Sequence, residues 1–101
     1  MSKIMVRYKV KPELAQENER LVRAVYEELA RSAPADFHYA TFCLPDGVSF
    51  VHIASTDTAD GPSPLSDVKA FAEFQKDVRE RCAEPPVTSE LREVGSYRFW
   101  Q

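Results

Sequence analysis

Apolar and polar side chains alternate along residues 3–9, which places Ile4, Val6 and Tyr8 on one face and charged Arg7 and Lys9 on the other. A period of two predicts a β-strand with one apolar face and one mixed face. Because such a strand packs its apolar face on a core, we expect the chain to begin with a strand of a sheet.

The pattern then changes to a helical period. Pro12 suits the first turn of a helix, and the apolar residues after it recur at helical spacing as far as about residue 32. Asn18 lies on the apolar side of this helix, where an aliphatic side chain would be expected. Ala33 is predicted to end the helix, because Pro34 pushes the preceding residue out of the α region.

Residues 37–55 contain two runs rich in aromatic and β-branched side chains, one on each side of Asp46 and Gly47. An Asp-Gly pair in this setting predicts a β-hairpin with a two-residue type I′ turn, since both central residues of that turn need φ > 0. The predicted hairpin carries both histidines of the chain, His38 and His52, one on each strand.

A loop is predicted over residues 56–64, which are rich in Asp, Ser, Gly and Pro, and it is placed to gate a site. Ser63 as the N-cap and Pro64 at the first position predict a second helix after it. Residues 83–86 are expected to stop this helix, leaving residues 79–81 as its solvated end. The apolar stripe of the predicted helix is formed by Leu65, Val68, Phe71, Phe74, Val78 and Cys82.

Residues 88–100 predict the last strand, which completes the order β-α-β-β-α-β over one domain, residues 1–101. Few topologies connect these elements, and an α+β, ferredoxin-like fold is favoured: a four-stranded antiparallel sheet in the order 4-1-3-2 with both helices on one face. Both faces of the hairpin are substantially apolar, whereas a sheet covered on one side should be polar on the other. We therefore expect a homodimer that joins through the bare sheet face.

Composition excludes several classes of function. The 101 residues carry a net charge of −3 with both signs interspersed, whereas nucleic acids and anionic membranes attract a basic face. No apolar run approaches the roughly 20 residues of a membrane span. Cys43 and Cys82 lack the spacing of a metal site, so a reduced, cytoplasmic protein is expected.

The element order, residues 46–52 (Asp-Gly-Val-Ser-Phe-Val-His) and the aromatic residues 95–100 (Gly-Ser-Tyr-Arg-Phe-Trp) resemble the dimeric α+β barrel superfamily. The nearest branch is the antibiotic-biosynthesis-monooxygenase-like proteins. The resemblance implies a pocket between sheet and helices in each subunit. Members of that superfamily include cofactor-independent monooxygenases of polycyclic aromatics, haem-degrading enzymes, small lactone isomerases and many proteins of unknown activity.

The chain departs from the better-understood members of that superfamily. The haem-degrading type uses an Asn on the first strand and a His on the second helix, and this sequence has neither. The quinone-forming type commonly has a Trp late in the third strand, where Ala54 stands here. Neither activity is therefore carried over residue by residue.

Three residues are candidates for catalysis. His52 is a candidate general base, because an imidazole titrates near neutral pH; the alternative is a structural histidine with satisfied hydrogen bonds. Asn18 and Tyr8 are candidates for binding oxyanions, and the alternatives are a buried amide bonded to the backbone and a core tyrosine.

Four further residues are candidates for substrate binding: Phe71, Phe74, His38 and Tyr97. The two phenylalanines could equally be core residues, and His38 could be exposed or lie at a dimer contact. The favoured function is a monooxygenase-like enzyme that acts on an apolar or aromatic substrate without metal or flavin. The alternative is a non-catalytic homodimer that binds a small apolar ligand or has a structural role.

Overall fold

Four strands form one antiparallel sheet in the order β2-β3-β1-β4. The computed structural model describes residues 2–56 and 64–99. The strands are β1 (Ser2–Val10), β2 (Phe37–Cys43), β3 (Ser49–Thr56) and β4 (Cys82–Glu90). This order confirms the predicted ferredoxin-like topology and places β1 and β3 in the middle of the sheet.

The helices pack on one face of this sheet. The first, α1 (Ala15–Ser32), follows a 3-10 turn at Pro12–Leu14 and ends at Ala33, which has a left-handed backbone. The second helical segment is divided into a 3-10 turn at Pro64–Asp67, α2 (Lys69–Lys76) and the short α3 (Val78–Arg81). The predicted N-cap Ser63 and the loop at 57–63 lie outside the described residues.

The hairpin loop differs from the predicted type I′ turn. The Gly47 N–H donates to the Leu44 carbonyl at 2.9 Å, so Pro45 and Asp46 occupy the centre of the turn. Gly47 has φ of 77° and Asp46 has no positive φ, whereas a type I′ turn requires both. The predicted two-residue turn is therefore wrong, and the loop has four residues, 45–48.

The register of the hairpin is nevertheless the predicted one. Cys43 pairs with Phe50 and Thr41 pairs with His52, as they would around a two-residue turn at 46 and 47. The predicted two-residue loop and the observed four-residue loop are centred on the same point of the chain. The longer loop therefore leaves each side chain on its predicted face of the sheet.

The last strand begins and ends earlier than predicted. Strand β4 runs over Cys82–Glu90, and residues 91–99 have no regular secondary structure. Pro85 and Pro86, which were expected to stop the second helix, lie inside β4. They are tolerated because β4 is an edge strand and its register with β1 shifts near them, beside Lys9.

The core lies between the sheet and the helices. Even-numbered residues of β1 and β3 face the helices, and the outer face carries Phe42, half exposed, beside Phe99 from the C-terminal segment. The buried apolar cluster consists of Tyr8, Val10, Val22, Val25, Phe50, Leu65, Val68, Phe74 and Val78. Within the described residues, no helix is both long enough and apolar enough to cross a membrane.

Gly47→Val is expected to lower the free energy of unfolding by about 1–3 kcal/mol, because a β-branched residue resists the left-handed backbone at this position. The space around Gly47 is open, so strain and not a clash is the cause. Urea melts of the purified proteins measure the effect. Gly95→Val is the matched control, since Gly95 also has open space but no positive φ. Equal losses in both variants would contradict the strain.

Candidate functional site

A cavity of about 370 Å³ lies between the helix-facing side of the sheet and the segment that contains α2 and α3. No residue of α1 lines it, although the helix packs beside it. The apolar lining consists of Ile4, Val6, Ala54, Leu65, Phe71, Phe74, Val78 and Pro86, and the polar lining of Tyr8, Tyr39, His52, Gln75, Arg79 and Thr88. The site is thus an aromatic and aliphatic pocket with a small number of polar groups.

His52 is the centre of the polar groups. It lies on the central strand β3, is 5% exposed and has neighbours on both flanking strands. Its Nε2 is 2.8 Å from Tyr8 Oη on β1. Its Nδ1 is 2.6 Å from Tyr39 Oη and 3.1 Å from Thr41 Oγ1, both on β2. Both ring nitrogens are therefore hydrogen-bonded to hydroxyl groups.

Asn18 and Arg81 extend these hydrogen bonds away from the cavity. The Asn18 side chain is fully buried; its Nδ2 donates to Tyr8 Oη at 2.9 Å, and its Oδ1 accepts from Arg81 Nε at 3.2 Å. Arg81 is 5% exposed, and its Nη2 donates to the Phe74 carbonyl at 2.6 Å. Asn18 interrupts the apolar side of α1 because it joins Arg81 to Tyr8.

The hydrogen bonds also continue from Thr41 on β2 to the helix α1. Thr41 Oγ1 is 2.7 Å from Tyr26 Oη on α1. A continuous series of side-chain hydrogen bonds thus runs from Arg81 through Asn18, Tyr8 and His52 to the hydroxyl groups of β2 and α1. We call these seven residues the polar chain: Arg81, Asn18, Tyr8, His52, Tyr39, Thr41 and Tyr26.

Burial sets the protonation states of the polar chain. It lowers the pKa of His52 to about 4, so the imidazole is neutral at pH 7. Burial raises the pKa of Tyr26 to about 12 and the pKa of Tyr8 and Tyr39 further above the ordinary value of 10.0. A neutral imidazole with this pKa and two occupied nitrogens is a weak base, which argues against the general-base role expected for His52.

The structure brings together five of the seven candidate residues from the sequence. Tyr8, Asn18 and His52 are joined by hydrogen bonds, and Phe71 and Phe74 line the cavity. The other two expectations are corrected here, because both residues lie away from the cavity. His38 lies on the opposite face of the sheet from His52 and lines a depression on that outer face. Tyr97 is 79% exposed in the C-terminal segment.

Two residues of the site were missed in the sequence. Arg81 was expected at a solvated helix end but is buried, and its spacing of seven from Phe74 is the signal that would have placed it on the inner side. The hairpin register places Tyr39 on the same face of the sheet as His52. The register alone would therefore have indicated it.

The fold and the helix-covered cavity define an α+β protein with the architecture of the antibiotic-biosynthesis-monooxygenase-like proteins. An antibiotic biosynthesis monooxygenase superposes with a TM-score of 0.67 at 18% identity, over 94% of this chain and 100% of that one. SnoaB from Streptomyces nogalater, a cofactor-independent oxygenase, superposes with a TM-score of 0.66 at 16% identity, over 96% of each chain.

A protein of unknown function from Nitrosomonas europaea superposes with a TM-score of 0.72 at 10% identity, over 95% of this chain and 91% of that one. No protein-family model matches this sequence, and no curated protein sequence matches it. The predicted resemblance is therefore confirmed as a likeness of fold.

The stability of the protein is expected to fall as the pH drops from 6.5 to 4. An unfolded His52 binds a proton near the ordinary pKa of 6.5, whereas the folded one does so only near 4. Between these values the unfolded state holds more protons, so acid favours it by up to about 3 kcal/mol. Urea melts at a series of pH values measure this slope.

His52→Gln should flatten the slope, because glutamine does not titrate. His38→Gln makes the same change at the other histidine, on the outer face, and is the matched control. An identical pH dependence in the wild type and His52→Gln would contradict the assignment of the effect to His52.

Proposed function

We propose that this protein is a monooxygenase-like enzyme that acts on an apolar or aromatic small molecule in the cavity between sheet and helices, without metal or flavin. The observation that carries the proposal is the cavity itself, with Phe71 and Phe74 in its wall and with Tyr39 and His52 among its polar lining residues. Its volume of about 370 Å³ lies within the range of small-molecule sites, about 300–1,000 Å³.

The chemistry proposed needs only O₂ besides the substrate. A ring CH₂ group and O₂ become a carbonyl group and one molecule of water, so the substrate itself supplies the electrons. The CH₂ group loses one proton to water, and the resulting electron-rich anion reacts with O₂; both hydrogens of the CH₂ group end in the water that forms with the second oxygen atom. The role proposed for the polar chain around His52 is to hold the oxygen that carries this negative charge. Similarity of fold to the cofactor-independent oxygenase SnoaB supports this choice of reaction.

The roles of the catalytic candidates follow from this geometry. Tyr39 lines the cavity and is proposed to donate its hydroxyl proton to the substrate oxygen, while His52, which also lines the cavity, holds the Tyr39 hydroxyl through Nδ1. Tyr8 also lines the cavity, while Asn18 acts behind it by donating to the Tyr8 oxygen. Phe71 and Phe74 are proposed to contact the faces of an aromatic substrate, and they stack with ring centroids 6.1 Å apart.

A second candidate function is binding of a small apolar ligand without catalysis. The observation that favours it is the state of His52, whose pKa is lowered to about 4 and whose two nitrogens are occupied. In this case the same cavity would hold its ligand by the same contacts, and no O₂ would be consumed.

We also propose that the protein is a homodimer joined through the outer face of the sheet. That face exposes apolar side chains, with Phe42 50% exposed, Leu44 40% and Phe99 56%. Contiguous exposed apolar surface of this kind is typical of a protein interface. Face-to-face packing of two such sheets would cover this apolar surface.

Oxygen consumption with anthrone as the probe separates the two functions. Anthrone has a CH₂ group between two aromatic rings and a carbonyl opposite, and with one O₂ it yields anthraquinone and water. We expect catalysed O₂ uptake, with kcat/KM at least tenfold lower in His52→Gln because the polar lining of the cavity is altered. His38→Gln is the matched control and should retain the wild-type rate.

Binding of anthrone without O₂ uptake would support the ligand-binding function and contradict the enzyme. Failure of anthrone to bind would contradict both functions for polycyclic ligands. An O₂ electrode and a fluorescence titration provide the two measurements.

Sedimentation velocity tests the dimer. The wild type is expected to be a dimer at micromolar concentration, and Phe42→Asp is expected to be a monomer because it places a charge on the apolar outer face. Phe42→Leu keeps the position apolar and should remain a dimer. A wild-type monomer at these concentrations would contradict the proposed interface.

A further inference from the structure

We propose that Arg81 is a positioning residue that fixes the direction of the hydrogen bonds from itself to the cavity, so that Tyr39 presents a hydrogen-bond donor to the ligand. The ligand class that matches this donor is an aromatic molecule bearing an acceptor oxygen, either a carbonyl or an oxyanion. The ligand class rests on the proposed function only in taking the cavity as the ligand site. The direction of the hydrogen bonds does not depend on it.

The direction starts at Arg81, because a guanidinium group has donors and no acceptor. Its Nε lies 3.2 Å from Asn18 Oδ1 and donates to it. A flipped Asn18 amide would place its NH₂ group against this N–H, so the flipped orientation is excluded. The Asn18 Nδ2 therefore faces Tyr8 and donates to the Tyr8 oxygen at 2.9 Å.

The direction of the hydrogen bonds at Tyr8 determines their direction at His52. Its oxygen accepts from Asn18, so its own proton needs another acceptor. Among the described residues, the remaining side-chain partner is His52 Nε2, 2.8 Å away. Tyr8 is 3% exposed, and a buried hydroxyl proton without an acceptor is costly. Tyr8 therefore donates to Nε2.

A neutral imidazole has one nitrogen that donates and one that accepts. Because Nε2 of His52 accepts from Tyr8, the ring proton is on Nδ1. Nδ1 lies 2.6 Å from Tyr39 Oη, which is the shorter of its two contacts, and donates to it. The tautomer of His52 is thus set by Arg81, three residues further along the polar chain.

Tyr39 is the last residue in this direction. Its oxygen accepts from His52 Nδ1 at 2.6 Å. With its oxygen occupied as an acceptor, Tyr39 has its own proton left to donate. Tyr39 lines the cavity, so this donor is available to an acceptor oxygen of a ligand there.

The opposite direction would be self-consistent without Arg81. Tyr39 would then donate to Nδ1, Nε2–H would donate to the Tyr8 oxygen, and Tyr8 would donate to Asn18 Oδ1. Tyr39 would then present a lone pair of its oxygen to the cavity, and the cavity would favour a ligand with a hydrogen-bond donor. Only the contact between Arg81 and Asn18 is incompatible with this arrangement, so Arg81 decides between the two.

The first test is the tautomer of His52 in the ligand-free wild type at pH 7. Two-bond ¹H–¹⁵N correlation spectra of protein labelled with ¹⁵N-histidine distinguish the two tautomers, and His52→Gln assigns the signals. We expect the Nδ1–H form. An Nε2–H form would overturn the proposal, whatever the ligand is.

The second test is a pair of probes of the same shape, 2-acetylnaphthalene and 2-isopropenylnaphthalene, in which a CH₂ group replaces the carbonyl oxygen. We expect the wild type to bind the ketone at least tenfold more tightly. Tyr39→Phe should abolish this preference by weakening the ketone alone. Equal affinities for the two probes in the wild type would overturn the inferred ligand class.

Arg81→Met should reduce the preference for the ketone and shift the His52 signals toward the Nε2–H form, and Arg92→Met, at an exposed arginine, should change neither. If Arg81→Met does not fold, the wild-type tautomer and Tyr39→Phe still decide. If neither probe binds the wild type, the cavity is not an aromatic ligand site and the proposed function is wrong. The spectrum then supports or overturns the direction set by Arg81 by itself.

Discussion

The hydrogen bonds that satisfy the buried imidazole of His52 hold the inner face of the sheet together. They reach Tyr8 on β1, Tyr39 on β2 and, through Asn18 on α1, Arg81 on α3. Each buried polar group left without a partner would cost about 1–3 kcal/mol, so these elements cannot shift past one another independently. The cavity keeps its shape because the polar chain beside it constrains five elements at once.

Arg81 connects this constraint to the apolar wall of the cavity. The same guanidinium group that donates to Asn18 also donates to the Phe74 carbonyl and lies 5.2 Å above the centroid of the Phe74 ring. The position of α2 and the orientation of the polar groups therefore depend on one side chain. A ligand that displaced Phe74 would also disturb the hydrogen bonds of Asn18, so the apolar and polar parts of the site are mechanically coupled.

Local patterns were sufficient to predict the strands of the hairpin, the first helix and the proximity of Tyr8, Asn18 and His52. They were insufficient where the outcome depends on distant contacts. Two consecutive prolines ordinarily end regular structure, and only the edge position of β4 explains why Pro85 and Pro86 lie in a strand. Likewise, the charge of Arg81 indicates solvent exposure, and its burial depends on Asn18, 63 positions away in the chain.

The prolines of β4 also affect how the sheet can grow. An edge strand usually offers a row of free N–H and C=O groups to which another strand can add, and this is a common route to aggregation. Pro85 and Pro86 lack N–H groups at two successive positions of β4, beside an irregularity in its register. Open-ended addition of strands is therefore blocked on this side of the sheet, whereas the face-to-face homodimer proposed above needs no free edge.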